Sequence, residues 1–391
     1  MSGRELFSRP RRNRRGAALA LVFAGVLAAG AVTGSLPEGG QERESEAARG
    51  SVPSGVAHHE AVRRAAAEAM AAGESPTEAA ERAVSRSGDR WAAVYSSGDY
   101  AEFQEALDGE YTGVGLWARR GRDGRIEVTR VRSGSPAAGA GIREGDGLRS
   151  VDGRAVEGLP VTEVVSLLRG DAEDAAAGTP VVLGIGRGDR AWSLTLHRAR
   201  LSTDPVTVTR PVPGVAVVRV AAFTKGSADA VRAAVRRAPS GTGVVLDLRG
   251  NSGGLVTEAV STASAFLDGG LVATYDVDGA QRALHAASGG DTARPLVVLV
   301  DGGTMSAAEM LTGALQDRGR AVVIGSRTFG KGSVQMPTDL PDGSVAELTV
   351  GHYRTPLGHA VDGRGITPDL DAGAGALERA ETVLTGLGDP S

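Results

Sequence analysis

The segment at residues 297–335 constrains the fold more than any other part of the sequence, because it joins two apolar runs through a helical pattern. Residues 295–300 are apolar and rich in valine, as expected of a buried strand. Residues 301–304 break this strand, and apolar side chains then recur at three- and four-residue spacing over residues 307–315. Ser306 therefore occupies a strand-to-helix turn, where a hydroxyl can be exposed as a nucleophile and free backbone N–H groups can stabilise an oxyanion.

Lys331, which follows the second apolar run at residues 321–324, is one of only two lysines among 43 basic residues; the other is Lys225. An arginine keeps its proton at physiological pH, whereas a lysine removed from water can act as a general base. Ser306 and Lys331 therefore form a candidate Ser–Lys dyad. The residues alone leave a second interpretation open, in which Lys331 is a solvated loop lysine and Ser306 only caps the helix.

Two short motifs around these residues resemble those of the C-terminal processing peptidases, also called tail-specific proteases. The first is Thr-Met-Ser-Ala-Ala-Glu at residues 304–309, and the second is Phe-Gly-Lys-Gly at residues 329–332. The first motif departs from many members at two positions that have no catalytic role. The resemblance implies that Ser306 is the nucleophile, Lys331 the general base and Gln335 the residue that orients the lysine.

A further signature of this family, Asp-Leu-Arg-x-Asn-x-Gly-Gly, is present in full at residues 247–254, at the end of a predicted buried strand. Glycines can present backbone N–H groups toward a reacting carbonyl. We therefore expect the N–H of Gly253 to join that of Ala307 in an oxyanion hole, with Gly254 as the neighbouring alternative. The Asp and Arg of this signature are interpreted as an ion pair that fixes the turn, and not as catalytic groups.

Residues 111–200 resemble a PDZ domain. Its carboxylate-binding loop corresponds to the four residues Gly113, Val114, Gly115 and Leu116. Glycines in such a loop let successive backbone N–H groups turn toward a terminal carboxylate, and the edge of the following strand can pair with an extended peptide. The resemblance implies protein or peptide substrates with exposed, apolar C-termini.

The N-terminus has the pattern of a targeting or membrane signal. An arginine-rich stretch at residues 9–15 precedes an uncharged segment at residues 16–36. Residues 1–36 are therefore interpreted as a cytoplasmic arginine cluster with a transmembrane anchor, or as a signal peptide cleaved after Ala31. Both interpretations place the rest of the chain on the extracytoplasmic side of the cell envelope, anchored in the first case and secreted in the second. Residues 37–55 have the composition of a disordered linker.

The predicted fold is multi-domain α/β. The resemblance implies a ClpP/crotonase-like peptidase core over residues 201–371, with an inserted, β-rich PDZ domain that carries two helices. Residues 56–110 form an N-terminal helical region after the membrane segment, and residues 372–391 form a C-terminal helix and tail. The apolar face of the N-terminal helices is too thin to form a core alone. We expect it to pack on another domain or on a second copy, in a homodimer joined through the terminal helices.

Composition excludes several classes of function. A net charge of −4 argues against nucleic acid as a partner. The absence of cysteine excludes disulfides and zinc–thiolate sites, and the six histidines show no metal-ligand spacing. The glycine-rich segments lack the context of a nucleotide site. We therefore expect neither a metal nor a cofactor.

Taken together, the sequence predicts an extracytoplasmic serine endopeptidase that recognises protein C-termini through a PDZ domain. Two alternatives remain open. One is a Ser–His–Asp hydrolase in which Ser306 works with His352 or His359. The other is a surface PDZ adaptor without catalytic activity, although the presence of Ser306, Lys331 and Gln335 argues against it.

Overall fold

The computed structural model describes residues 55–121, 123–170, 176–277 and 280–387. The helices in these ranges are α1 (Gly55–Ala71), α2 (Pro76–Ser87), α3 (Ser97–Leu107), α4 (Pro136–Gly139), α5 (Val161–Arg169), α6 (Ser227–Arg237), α7 (Val256–Ala263), α8 (Ala307–Asp317) and α9 (Ala376–Leu387). The strands are β1 (Ala93–Tyr95), β2 (Glu110–Gly113), β3 (Leu116–Arg120), β4 (Ile126–Val131), β5 (Gly147–Val151), β6 (Arg154–Ala155), β7 (Pro180–Arg187), β8 (Arg190–His197), β9 (Ala199–Ser202), β10 (Val206–Thr209), β11 (Val215–Val220), β12 (Gly243–Asp247), β13 (Leu271–Val277), β14 (Ala280–His285), β15 (Leu296–Val300), β16 (Val322–Gly325), β17 (Ser333–Asp339), β18 (Val345–Arg354) and β19 (Leu370–Asp371).

The first sheet has the strand order β10-β11-β12-β15-β16-β19, with β10 antiparallel to its neighbour and the others parallel. Its central strands are apolar at almost every position because both faces of the sheet are covered. Val244 and Leu246 of β12 pack with helices α6, α7 and α8, whereas Val245 packs with α9 on the opposite face. Since β12 and β15 are parallel, the turns that follow them meet at one edge of the sheet.

A second sheet supports the loop that carries Lys331. Strand β18 pairs with β17 along one edge and with β1 and β13 along the other, and β14 extends the sheet beyond β13. Ser333, the first residue of β17, follows Lys331 by two positions. The position of the lysine is therefore tied to β18 through β17.

The N-terminal helices pack against this second sheet. Ser75 caps α2, where its hydroxyl accepts a hydrogen bond from Glu78 N, and Pro76 occupies the first turn. The two helices and the β17–β18 hairpin share one apolar cluster, formed by Val62, Ala66, Ala80, Val84, Leu340, Ala346 and Leu348. The apolar face of α9 is likewise buried on the first sheet. Much of the apolar surface from which the sequence suggests a homodimer is thus covered within the chain, and this packing gives that expectation no support.

The PDZ domain is a sheet with the order β3-β4-β5-β7-β8, with β6 paired to β5 and with α5 packed on its core. Asp152 and Gly153 form the two-residue turn between β5 and β6, with φ angles of 49° and 78°. This is the conformation expected of an Asp-Gly hairpin turn. Strands β2 and β9 form a separate ribbon at the two ends of the domain. Among the described strands β3 pairs only with β4, so its outer edge is free.

The helices within these ranges are all too short or too polar to cross a membrane. The anchor or signal peptide predicted for residues 1–36 lies outside the described residues. So does the predicted linker, except for Gly55, which already belongs to α1.

Candidate active site

Ser306 lies between the end of β15 and the first residue of α8, as the sequence predicts. Its φ and ψ angles are 51° and −118°, and a positive φ at a residue other than glycine costs about 1–3 kcal/mol. The turn is held at the end of β12. Asp301 Oδ1 accepts hydrogen bonds from Gly250 N and Gly303 N, both at 2.9 Å, and Thr304 Oγ1 donates to Leu248 O at 2.9 Å. The surrounding hydrogen bonds therefore hold the serine in a strained backbone position.

Glu309 joins the serine turn to the lysine loop. Its side chain is fully buried. One carboxylate oxygen accepts hydrogen bonds from Ser306 N and Lys331 N, both at 2.9 Å, and the other accepts from Thr328 Oγ1 at 2.5 Å and Gly330 N at 2.7 Å. Burial raises the pKa of this carboxyl group, and the four hydrogen bonds oppose that rise. Sequence reasoning missed this residue, which entered only as one letter of a motif.

Lys331 is a partly buried lysine. Its Nζ lies 5.2 Å from the centroid of the Trp91 ring. Burial lowers the pKa of the amine, while Glu347, Asp89 and Glu309 oppose this effect by favouring the ammonium form. The interpretation of Lys331 as a lysine bathed in water does not fit this environment.

The backbones of Ser306 and Lys331 are linked through Glu309, but among the described residues no direct hydrogen bond joins the three predicted catalytic side chains. Within the described residues no hydrogen bond links Ser306 Oγ to Lys331 Nζ; the two residues are connected through their backbone N–H groups and Glu309. Gln335 Nε2 donates to Ser333 Oγ at 2.7 Å and to Thr349 Oγ1 at 3.4 Å. Its expected role in orienting the lysine remains a prediction.

The expected oxyanion hole is only partly open. A Cβ added at Gly253 would lie 3.0 Å from Ser306 Cβ and 3.3 Å from Ala307 N, so this glycine lies directly against the serine turn. However, Gly253 N donates to Asn251 Oδ1 at 2.8 Å and is not free in this structure. The N–H groups of Ala307 and Gly254 have no acceptor among the described residues. Gly253 would have to release Asn251 to serve as a donor, whereas Gly254 would not.

Asp247 and Arg249, at the end of β12, form the ion pair that the sequence predicts. Arg249 Nε and Nη2 each donate to one carboxylate oxygen of Asp247 at 2.8 Å. Asp247 is buried and also lies 3.6 Å from Arg219. Its two oxygens are thus occupied by guanidinium groups, which suits a structural role.

The two histidines considered as alternative bases point elsewhere. His352 is 56% exposed and lies 3.8 Å from Asp362, and His359 is 68% exposed and lies 3.4 Å from Asp317. Neither is hydrogen-bonded to Ser306 within the part of the chain that the structure describes. The residue from this region that does contact the serine is Tyr353, whose hydroxyl donates to Ser306 O at 3.0 Å. Burial raises the pKa of this tyrosine well above its ordinary value, so it stays a donor.

The loop that the sequence predicts to bind a carboxylate, residues 113–116, has one position that only glycine can occupy. Gly115 has a φ of 78°, and a Cβ there would lie 2.3 Å from Ser135 Cβ, so only glycine fits. Val114 O accepts a hydrogen bond from Ala137 N at 2.9 Å. Among the described residues, the N–H groups of Val114 and Gly115 have no backbone acceptor. They are available to a ligand beside the free edge of β3.

No cluster of three or more potential metal ligands occurs within the described ranges.

Comparison with known proteins covers the same segments. A family model described as peptidase family S41 matches residues 214–372, and a PDZ domain model matches residues 127–176. The chain is 38% identical over 292 residues to the chloroplastic C-terminal processing peptidase of Tetradesmus obliquus. The aligned region covers 69% of this chain and 62% of that protein. It is 34% identical over 280 residues to the carboxy-terminal-processing protease of Bartonella bacilliformis, covering 69% of this chain and 63% of that protein.

A solved structure, the photosystem II D1 C-terminal processing protease, superposes with a TM-score of 0.50 and 32% identity, covering 80% of this chain and 86% of that chain. The chain spans about six-tenths of the length of the two curated relatives. The resemblance inferred from the motifs is confirmed. This chain belongs to peptidase family S41, the family of the C-terminal processing peptidases, and contains a PDZ domain.

Proposed function

We propose that this chain is a serine endopeptidase in which Ser306 is the nucleophile and Lys331 the general base. The observation that carries the proposal is the Glu309 carboxylate, which accepts hydrogen bonds from the backbone N–H groups of both residues. A nucleophile and a base that act together must be held at a fixed separation. A buried carboxylate that bridges their backbones meets this requirement, and burial lowers the pKa of Lys331, which favours the neutral amine that the reaction needs.

The reaction would proceed in two acyl-transfer steps. Ser306 Oγ attacks the scissile carbonyl carbon while Lys331 Nζ takes the hydroxyl proton, and Ala307 N–H donates to the resulting oxyanion together with Gly253 or Gly254. The C–N bond then breaks, and the ammonium of Lys331 returns the proton to the leaving amine. Water hydrolyses the acyl-enzyme in the second step, with Lys331 again as the base. Gln335 is assigned to orient the amine.

The PDZ domain would supply substrate recognition. The N–H groups of Val114 and Gly115 would bind the C-terminal carboxylate of a protein substrate, and the tail would pair with the free edge of β3. Two relatives of this chain are named as C-terminal processing enzymes, which supports this assignment. The substrates are therefore proposed to be proteins or peptides with exposed apolar C-termini.

The sequence also supports proposals for the arrangement of the peptidase core and for the location of the protein. A ClpP/crotonase-like arrangement of the peptidase core is the fold that the family motifs imply. The arginine cluster and uncharged segment of residues 1–36 support an extracytoplasmic location, reached through a membrane anchor or a cleaved signal peptide.

Cleavage of a disordered protein with an apolar C-terminus tests the proposal. The substrate would be prepared with a free or an amidated C-terminus, and incubated with the full-length protein or its Ser306→Ala variant. We expect the free-carboxylate substrate to be cleaved faster, because only it can bind the PDZ loop, and we expect no cleavage by Ser306→Ala. Equal cleavage by Ser306→Ala would contradict the assignment of the nucleophile, and no cleavage by the wild type would favour the adaptor hypothesis.

A further inference from the structure

The connection between α2 and β1, residues 89–92, lies against the loop that carries Lys331. It precedes the segment that the peptidase family model matches. We propose that this connection completes the catalytic site, with Trp91 covering the amine of Lys331 and Asp89 fixing the position of both Trp91 and Gln335. Asp89 and Trp91 are thus assigned as positioning residues for the general base. The inference rests on the proposed role of Lys331.

Asp89 anchors the connection to β18. Its carboxylate accepts hydrogen bonds from Trp91 N at 3.0 Å and Ala92 N at 3.1 Å, which closes a tight local turn. The same carboxylate accepts from Thr349 N and from Thr349 Oγ1, both at 2.9 Å. Strand β1, which follows directly, adds to β18 through the Ala93–Glu347 and Tyr95–Val345 pairs. The connection is therefore fixed at both ends.

Thr349 passes this constraint on to Gln335. Its Oγ1 donates to Asp89 and accepts from Gln335 Nε2 at 3.4 Å. A hydroxyl has one proton, so its donation to Asp89 leaves its lone pairs directed at the glutamine amide. The predicted third member of the site is thereby connected to a residue that lies 246 positions earlier in the chain.

Trp91 forms an aromatic wall beside the lysine. Its ring centroid lies 5.2 Å from Lys331 Nζ and 5.7 Å from the ring of Phe329. Arg90 also stacks on the indole, at 4.8 Å, and lies 3.4 Å from Asp362. An indole excludes water from the amine, which disfavours the ammonium form, while its π face attracts that form. Burial lowers the pKa of Lys331, and we assign part of this burial to the Trp91 ring.

The charged groups that face the amine come from three elements: Glu347 of β18, Glu309 of α8 and Asp89 of the connection. All three favour the ammonium form. Loss of the indole would admit water while leaving these carboxylates in place. Water favours the ammonium form, whereas loss of the π face disfavours it. We expect the effect of water to be the larger, so that Lys331 becomes a weaker source of neutral amine at pH 7.

The two-lysine composition allows a direct test on the full-length protein. An amine-reactive acetylating reagent, used in trace amounts from pH 6 to pH 11, modifies only unprotonated lysines, and peptide mass spectrometry reports each lysine separately. Lys225 is the internal reference, because its side chain is 73% exposed. The Ser306→Ala background keeps the protein from cleaving itself during labelling. In parallel, kcat/KM is measured against pH with Ser306 intact.

We expect the labelling midpoint of Lys331 to lie below that of Lys225, and to rise toward it in Trp91→Ala. The kcat/KM of Trp91→Ala should fall about tenfold at pH 7 for each unit by which the midpoint rises, and should recover at high pH. Trp91→Phe, which keeps an aromatic cover, should restore most of the wild-type profile. The matched control is Trp192→Ala, which removes an indole that stacks with Arg187 in the PDZ sheet and should leave the Lys331 midpoint unchanged.

The outcomes separate the inference from the function on which it rests. An unchanged Lys331 midpoint and an unchanged pH profile in Trp91→Ala would overturn the inference while the dyad stands. A rise in kcat/KM at pH 7 would also overturn it, since the connection would then inhibit the site. A wild-type Lys331 that labels like Lys225, together with activity in Lys331→Arg, would instead overturn the proposed function. Loss of activity at every pH in both Trp91→Ala and Trp91→Phe, with an unshifted midpoint, would show a structural role only.

Discussion

Glu309 is excluded from solvent, and its carboxylate holds donors from two segments that lie about twenty residues apart. A carboxylate offers acceptor sites on both oxygens, whereas an amide offers them on one and places donors on the other. Replacement by glutamine would therefore turn two of the four donors toward an N–H₂ group. Each buried donor left unpaired costs about 1–3 kcal/mol.

Glu309→Gln should accordingly lose most of its activity, by about a hundredfold or more in kcat/KM, and should melt at a lower temperature than the wild type. Peptide cleavage and thermal unfolding measure the two effects. Binding of a free C-terminal peptide to the PDZ domain should persist, which shows that the chain remains folded. A variant with wild-type activity and melting temperature would show that the carboxylate does not hold the site together.

Lys331 should make the folded state less stable at neutral pH. Its pKa in the folded protein is lowered by burial, so between this value and the ordinary lysine pKa the unfolded chain binds more protons, and stability rises with pH. Lys331→Met removes the titrating amine and keeps a side chain of similar length. We expect its melting temperature to exceed that of the wild type by a few degrees at pH 6–7, with a gain that shrinks as the pH approaches about 10.5.

Melting curves over this pH range provide the measurement, with Lys225→Met as the control at an exposed position. A stability gain that is the same at every pH would come from packing alone and would contradict the desolvation of the amine.

At the residue scale, the sequence identifies a functional residue most readily when its type or position is unusual for this chain. Lys331 stands out because arginine is used almost everywhere else, and Ser306 because of its position before a helix. Trp91 and Asp89 give no such signal, since their contacts are made with Lys331 and Thr349, which lie more than two hundred residues further along the chain. Long-range contacts of this kind are set by strand pairing and leave no local pattern.

At the level of elements, the turn after β12 is packed against the serine turn with no space for a side chain. A Cβ at Gly253 would lie 3.0 Å from Ser306 Cβ and 3.1 Å from Met305 O, and the glycine has a φ of 102°. This conformation is strained for any residue with a Cβ. The close approach brings the glycine-rich turn to the nucleophile, where an oxyanion would form.

Gly253→Ala should therefore push the two turns apart and reduce cleavage by about a hundredfold, the scale expected for the loss of one oxyanion donor. The fold should survive, since the strands on either side are unchanged. A disordered-protein cleavage assay and a melting curve measure both properties. Gly241→Ala is a matched control, because this glycine also has a positive φ, of 77°, but has no atom within 4 Å of an added Cβ. Equal activities of the two variants would exclude a special role for the Gly253 contact.

The sequence predicts an element well where a strand is buried on both faces or where a helix is buried along one face. The apolar run at residues 295–300 is observed as β15 (Leu296–Val300), and the helical pattern at residues 307–315 is observed as α8 (Ala307–Asp317). The hydrogen bond from Gly253 N to Asn251 could not be foreseen, because it depends on the rotamer of one buried amide. A local pattern specifies a glycine-rich turn but not which of its N–H groups remains free.

On the scale of the whole molecule, the proposed sites of substrate binding and cleavage lie on separate sheets, which are linked by the β2–β9 ribbon. The PDZ loop has no space for a larger residue at Gly115, since an added Cβ would lie 2.3 Å from Ser135 Cβ. Gly115→Ala should thus distort the carboxylate loop without touching the peptidase sheet. We expect the preference for a free over an amidated C-terminus to disappear, with both substrates cleaved at the slower, amidated rate.

The measurement is the ratio of kcat/KM values for the two substrates. A Gly115→Ala protein that retains the wild-type ratio would show that the tail is recognised elsewhere.

The domain order could be predicted from the motifs, because each domain carries a short signature of its own. The packing of α1 and α2 on the β17–β18 hairpin could not be predicted. The sequence allowed either another domain or a second copy as the partner, since an apolar helix face does not specify what it packs against.

The central claim is that a neutral amine at position 331 removes the proton from Ser306, and the cleavage rate of Lys331→Arg tests it most directly. Arginine keeps a positive charge and similar length but cannot act as a base at pH 7–8. The account predicts a loss of about 10²–10⁴-fold in kcat/KM for a disordered substrate with a free C-terminus, with full activity in the control Lys225→Arg. A Lys331→Arg protein that cleaves within tenfold of the wild-type rate would contradict it.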